Sequence, residues 1–270
     1  MITRYITILL LTVAMGFSSV SLAGGITTYK RAHEVPSKGP QIVAQRIPVS
    51  SFNALQANDP IDITLRPGKQ SQVLFYLPKG STASPTASVN NGLLVLNSGS
   101  GLFRSNTRIS AIVTTPTLNQ IILGGEARLK GTLFAHRLAI ETRGNAQANL
   151  NGQLDMAFIT SHDNSLLDAA WVDSPRVTVA AEGQSLIRLA GRATWLKAHL
   201  RDSAVLQAEY LRAKRNWVQT QNNALAYVIS TKNLRGFAYD NSQIFYYKWP
   251  HHNTQHSEGS GNILQAAWHN

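Results

Sequence analysis

The chain predicts an all-β fold: a β-solenoid of about seven coils of 19–21 residues behind a strand-rich N-terminal segment. Three observations lead there. After Pro116, turn-type dipeptides recur: Gly144-Asn145, Asp163-Asn164, Gly183-Gln184, Asp202-Ser203, Asn222-Asn223 and Asn241-Ser242. Their second members step by 19, 20, 19, 20 and 19 residues, and Gly, Asp, Asn and Ser are the types that favour tight turns. Apolar residues flank each turn at a period of two, the spacing of a strand with one buried face. No segment sustains a helical period. A single coil has too little apolar surface to fold alone. Stacked about 4.8 Å apart, like residues lie over like and fill one continuous core, so seven coils give a rod roughly 34 Å tall. A right-handed coil is expected by analogy with known β-helices. The competing architecture, a sandwich of short strands, would not need turn residues in register.

The elements follow in order. Residues 1–23 read as an export signal: Arg4, an apolar run over 5–17, then Ser21-Leu22-Ala23 before Gly24. The run is short of the ~20 residues that span a bilayer, so cleavage after Ala23 is expected rather than an anchor. Residues 24–45 are polar, with Pro36, Gly39 and Pro40, and read as a linker. The solenoid domain is expected over 46–250, with its strand-rich segment over 46–116 and the repeats over 117–250. Strands are expected at 52–56, 61–66, 73–77, 93–96 and 109–114, punctuated by Pro67-Gly68, Asn90-Asn91-Gly92 and Thr115-Pro116.

In the repeats, the pairs expected to point inward after each turn are Ala148/Leu150, Leu167/Ala169, Ile187/Leu189, Leu206/Ala208, Ala226/Val228 and Phe245/Tyr247. Ala127/Leu129 precedes them, after a Gly124-Gly125 turn whose register is open by one residue. On the other side of the turns the expected pairs are Leu138/Ile140, Phe158/Thr160, Val177/Val179, Leu196/Ala198 and Phe237/Tyr239. Asn216/Val218 fits poorly, and Trp217 suggests a local slip. The rod's ends would expose strand edges. The strands before Pro116 could cap one end, and the polar tail 251–270 the other.

Several of these segments together resemble one known family. Phe52-Asn53-Ala54-Leu55, then Pro60-Ile61-Asp62-Ile63-Thr64-Leu65-Arg66-Pro67-Gly68, then Asn91-Gly92-Leu93-Leu94-Val95-Leu96 resemble the start of the putative auto-transporter adhesin head GIN domain. Residues 115–125 (TPTLNQIILGG) look like its first strand-and-glycine repeat. The family's Gly-Ile-Asn signature reads Pro60-Ile61-Asp62 here. The resemblance implies an exported β-solenoid of largely unassigned activity and transfers no catalytic residue.

Composition narrows function by exclusion. Lys and Arg number 25 against 14 Asp and Glu, a formal charge of +11, or +10 once Arg4 leaves with the signal. Only 14% of residues are charged, so the basic balance reflects scarce acids, and there is no dense basic run of the kind that marks nucleic-acid binding. Hydrophobic residues at 43% exclude a disordered chain. The absence of cysteine excludes disulfides, thiolate metal sites and a Cys nucleophile. No nucleophile elbow, phosphate-binding glycine loop, calcium repeat or zinc-protease motif is present. No cofactor, no metal and no catalytic residue is therefore expected, and no membrane segment after signal cleavage.

Candidate binding residues form an expected outward strip: Arg128, Asn149, Asp168, Arg188, Gln207, Tyr227 and Tyr246, stacked closely enough to interact. It reads as a surface for a glycan or a protein partner, or as a solvated face with an Asp168–Arg188 pair. Asp155, Asp163, Asp168 and Asp173 are candidates for glycoside or polyuronate cleavage, though Asp163 and Asp202 sit where turns favour Asp. His251, His252, His256 and His269 read as a polar tail rather than a metal site. Trp195 and Trp217 are expected at solenoid corners, Trp249 and Trp268 in a cap. The expected function is a non-catalytic envelope or surface protein, periplasmic or extracellular, that adheres to a glycan, envelope component or protein surface. A polysaccharide-processing enzyme and a self-associating scaffold are the alternatives. The positive charge reads as diluted along the rod.

Overall fold

A computed structural model describes residues 41–99 and 108–267. The expected export signal, most of the linker, Trp268 and His269 lie outside the described residues. Within them the chain is all β, without a helix, and its parallel strands stack into a β-solenoid of about eight turns.

The N-terminal strands are β1 (Ile42–Ile47), β2 (Ala54–Ala57), β3 (Ile61–Pro67), β4 (Gln72–Pro78), β5 (Thr86–Asn90), β6 (Leu93–Asn97) and β7 (Ile109–Thr115). The repeats contain β8 (Gln120–Leu123), β9 (Arg128–Thr132), β10 (Ala135–Thr142), β11 (Gln147–Asn151), β12 (Leu154–Ser161), β13 (Leu166–Ala181), β14 (Leu186–Leu200), β15 (Val205–Thr220) and β16 (Leu225–Ala238). They end with β17 (Gln243–Tyr247), β18 (His252–Ser257) and β19 (Asn262–Gln265).

From β8 onward each strand pairs in parallel with its counterpart one coil away. The first coils depart from chain order. β2 lies between β6 and β8, and β3 between β7 and β9, so a segment later in sequence forms an earlier layer of the stack. Antiparallel strands close that end: β4 pairs with β7, β1 with β4, and β5 with β6. Strand β1 thus begins inside the segment read as a linker. At the other end β18 and β19 extend the rod by another coil. Its residues aligned with buried Leu234, Gly236 and Ala238 are Asn253, Gln255 and Ser257. Polar side chains thus take the core positions in the β18 half of this coil, while in the β19 half Ile263 stacks on buried Ile244.

The turn column explains the repeat. Gly125, Gly144, Asp163, Gly183, Asp202, Asn222, Asp240 and Gly259 all have positive φ, the region that Gly, Asn and Asp tolerate best. Each turn bonds to the one before it through backbone groups, for instance Asn164 N–H to Gly144 O at 3.0 Å and Gln184 N–H to Asp163 O at 2.7 Å. The acids add a second rung. Asp163 Oδ2 accepts from Gly144 N–H at 2.8 Å, Asp202 Oδ2 from Gly183 N–H at 3.1 Å and Asp240 Oδ2 from Asn222 N–H at 3.1 Å. Asp occurs only in alternate coils of this stretch, so no two carboxylates stack directly. Asp202→Ala loses both the carboxylate oxygen that accepts from Gly183 N–H and a bond from Asn222 Nδ2 at 3.0 Å, and places Ala at φ 57. The expected loss is about 1–2 kcal/mol, read from urea denaturation.

The core alternates in size. In Ala148/Leu150, Leu167/Ala169 and Leu206/Ala208 a small residue sits beside a large one, and all six are buried. Three expected pairs are instead reversed. Ile159/Ser161 point inward and Phe158 is exposed; Leu234, Gly236 and Ala238 point inward in place of Phe237/Tyr239; Ile244/Tyr246 replace Phe245/Tyr247. The last reversal has a simple cause: the turn falls at Asp240-Asn241, and the step there is 18 residues, Leu225 pairing with Gln243. Ser161 can be buried because Thr142 Oγ1 and Ser165 Oγ lie 2.9 and 2.8 Å from its hydroxyl. No slip occurs at Trp217. Asn216 simply occupies a core position, 2% exposed, and Nδ2 donates to Ile229 O at 2.8 Å.

Candidate functional site

Of the expected strip, Asn149, Asp168, Arg188, Gln207 and Tyr227 do share one outward column. Arg128 is displaced two residues along its strand: it aligns with Gln147, while Lys130 takes the place opposite Asn149. Tyr246 leaves the strip altogether and is 5% exposed in the core; Phe245 takes its place and stacks on Tyr227 at 5.1 Å. Arg128, Asn149, Asp168 and Arg188 still line one groove of about 530 Å³ with Asp62 and Lys130. Arg188 Nε donates to Gln207 Oε1 at 2.9 Å rather than pairing with Asp168.

Three of the four candidate acids are engaged elsewhere, and Asp168 lines the groove just described. Asp163 serves its turn, Asp155 Oδ2 lies 3.0 Å from His136 Nδ1, and Asp173 holds Arg192 through two contacts of 2.9 and 2.6 Å. His251, His252 and His256 lie on the last coil, His256 beside the rings of Phe237 and Tyr239.

A second outward face was not legible as a site. It is formed by the C-terminal halves of β13, β14, β15 and β16 together with β18. One column runs Arg176, Trp195, Arg215, Asn233, His252, and the neighbouring one Thr178, Lys197, Trp217, Arg235, Thr254. Lys214 and Lys232 stand exposed beside them. Trp195 and Trp217 therefore belong to a strand face and not to corners. Cations and rings alternate along each column, so equal charges lie two coils apart, roughly 9.6 Å. Arg215 lies over the Trp195 ring at 4.9 Å and Lys197 over Trp217 at 5.3 Å, within cation–π range. Glu182, which His162 Nδ1 meets at 2.6 Å, flanks this face, and Asp155 lines a pocket of about 530 Å³ with Arg176 and Trp195 at its edge. Six cations thus gather on one face, a cluster that a charge summed along the rod does not reveal.

His199 belongs to the next column, its ring centroid 4.5 Å from that of Trp217. Burial, then the charges of Lys197 and Arg201, hold its imidazole below its ordinary range. A lowered folded value means that the unfolded chain takes the proton more readily. Its contribution to stability is complete above about pH 6.5 and is lost as pH falls through the lowered value. His199→Gln is expected to flatten the decline in melting temperature between about pH 7 and pH 5.

Comparison with known proteins places this geometry. The model of the putative auto-transporter adhesin, head GIN domain, matches residues 51–250. The chain belongs to that family. No curated protein matches it. Among solved structures, this GIN-domain protein is similar to a putative adhesin from Bacteroides fragilis at 18% identity and TM-score 0.58, covering 86% of this chain and 99% of that one. It is also similar to a putative adhesin from Parabacteroides merdae at 14% identity and TM-score 0.69, covering 85% and 98%. A putative lipid binding protein from Parabacteroides distasonis gives 14% identity, TM-score 0.69 and the same coverage of 85% and 98%. At these identities the likeness is one of fold. Among the described residues of this GIN-domain chain, no helix is long and apolar enough to cross a membrane.

Proposed function

We propose that this protein is a non-catalytic, exported envelope or surface protein that adheres to an acidic polysaccharide along the Arg176–Arg235 face. The observation that carries the proposal is the alternation of cations and tryptophans along two neighbouring outward columns. A polyanion lying along it meets one cation after another, while the rings offer apolar faces between them. Membership of an adhesin-head family supports a surface role. The engagement of Asp155, Asp163 and Asp173 by neighbouring groups favours binding over cleavage. The strip from Asn149 to Tyr227 carries one acid, one base and otherwise neutral side chains, so it offers contact without a charge preference.

Retention of the purified protein on immobilised polygalacturonate and on neutral dextran tests the reading. Retention on the acidic polymer alone, weakening as salt screens exposed charges, is expected. Equal retention on both matrices, or on neither, would overturn it.

A further inference from the structure

At another edge of the rod, Phe134 and Trp171 stand 54% and 75% exposed. Both line an open groove of about 900 Å³, shared with Asn151, Gly152, Arg192 and Arg212. The coil between the two rings carries Gly152 at its corner, with φ 112. A Cβ there would lie 2.3 Å from Leu133 O, so the backbone itself forbids a side chain at that point. Gly191 does the same on the far side of Trp171: its φ is 137 and an added Cβ would meet Val172 O at 2.1 Å. The slots flanking Trp171 are therefore built into the backbone.

Trp171 itself is held at φ 64, a left-handed conformation costly for a bulky side chain. At 75% exposure its ring recovers little of that cost by burial. An unfavourable backbone that presents a large apolar ring to water points to use of the ring rather than to packing.

The groove's polar groups suit a hydroxylated, anionic ring. Asp173 and Arg192 neutralise each other through their paired contacts, and the Arg192 guanidinium keeps the Asp173 carboxyl below the usual carboxylate range. Arg212 is left as an uncompensated cation, with no carboxylate partner among the described residues. Asn151 Oδ1 accepts from Thr132 at 2.6 Å, which leaves its Nδ2 to donate outward.

We propose that this groove binds a carboxylated pyranose, a uronic acid residue, with Trp171 stacking on the sugar face and Arg212 meeting the carboxylate. This goes beyond the polymer-binding face, because the two sites use different residues and each is expected to work without the other.

Titration with free glucuronic acid and with methyl glucoside, followed by tryptophan fluorescence, tests it. Saturable binding of the acid, at least about tenfold tighter than the neutral sugar, is expected. Arg212→Gln should remove that preference. Trp171→Gly should weaken binding by at least about tenfold yet raise the melting temperature, since glycine relieves the backbone. Absence of glucuronic acid binding to the native protein, or a preference that survives Arg212→Gln, would overturn the assignment. So would a Trp171→Gly protein that melts earlier, since that would make the ring a packing element. A Lys197→Glu/Arg215→Glu protein should still bind the monosaccharide, which separates failure of this site from failure of the polymer-binding face.

Discussion

Gly191→Ala is expected to destabilise the protein by roughly 2–6 kcal/mol, a large share of the ~5–15 kcal/mol typical of a folded domain. Two independent costs combine. At φ 137 an L side chain is strained whatever the space around it. The new Cβ would also lie 2.1, 2.6 and 2.9 Å from the O, N and C of Val172, all backbone atoms that cannot rotate away. Gly191 pairs directly with Val172 in the β13–β14 ladder, so relief requires moving one coil away from the next. Gly80→Ala is the matched control. Its φ of 82 carries the conformational cost, but nothing lies within 4 Å of an added Cβ. It should lose only about 1 kcal/mol. Urea denaturation of the two variants measures the difference. A Gly191→Ala protein as stable as Gly80→Ala would mean that adjacent coils can part without loss.

The same tight stacking determines how much of the fold is legible in sequence. Gly144, Asp163, Gly183, Asp202 and Asn222 are visible as a column because only a few residue types tolerate positive φ. Asp240 is not, because Asn241 and Ser242 look equally suited to a turn, and the 18-residue step gives no separate signal. A strand has a period of two, so a one-residue error turns every side chain over. Tyr246 therefore reads as outward and Phe245 as inward in the sequence, the reverse of their places in the structure. Ser161 and Asn216 mislead in another way. Burial of a polar residue depends on partners in neighbouring coils, which no local pattern announces.

The sites were less legible than the fold. A net charge summed over the repeats hides its arrangement. Arg176, Lys197, Arg215 and Arg235 come from four coils and share a face only once the register is known. Trp171 follows Ala169-Ala170 and reads as an ordinary strand residue, and its left-handed backbone breaks the preference of its own type.

The second large effect is expected from reversing charge on the basic face. Lys197→Glu/Arg215→Glu/Arg235→Glu should weaken binding to polygalacturonate by at least about a hundredfold, taking ~1 kcal/mol per cation against an anionic surface and adding repulsion. The three side chains are exposed, so the melting temperature should change little beyond the loss of the contacts to Trp195 and Trp217. Lys130→Glu, an equally exposed cation in the strip, controls for net charge. If attraction depended on overall charge alone, Lys130→Glu would cost about as much as any one of the three reversals. If it depends on the alternating array, Lys130→Glu should leave binding within about threefold of the native protein, and the salt dependence should flatten only in the triple variant. That contrast separates a built surface from a merely basic protein, because an array holds successive anions at a fixed spacing of two coils, whereas scattered cations hold them at none.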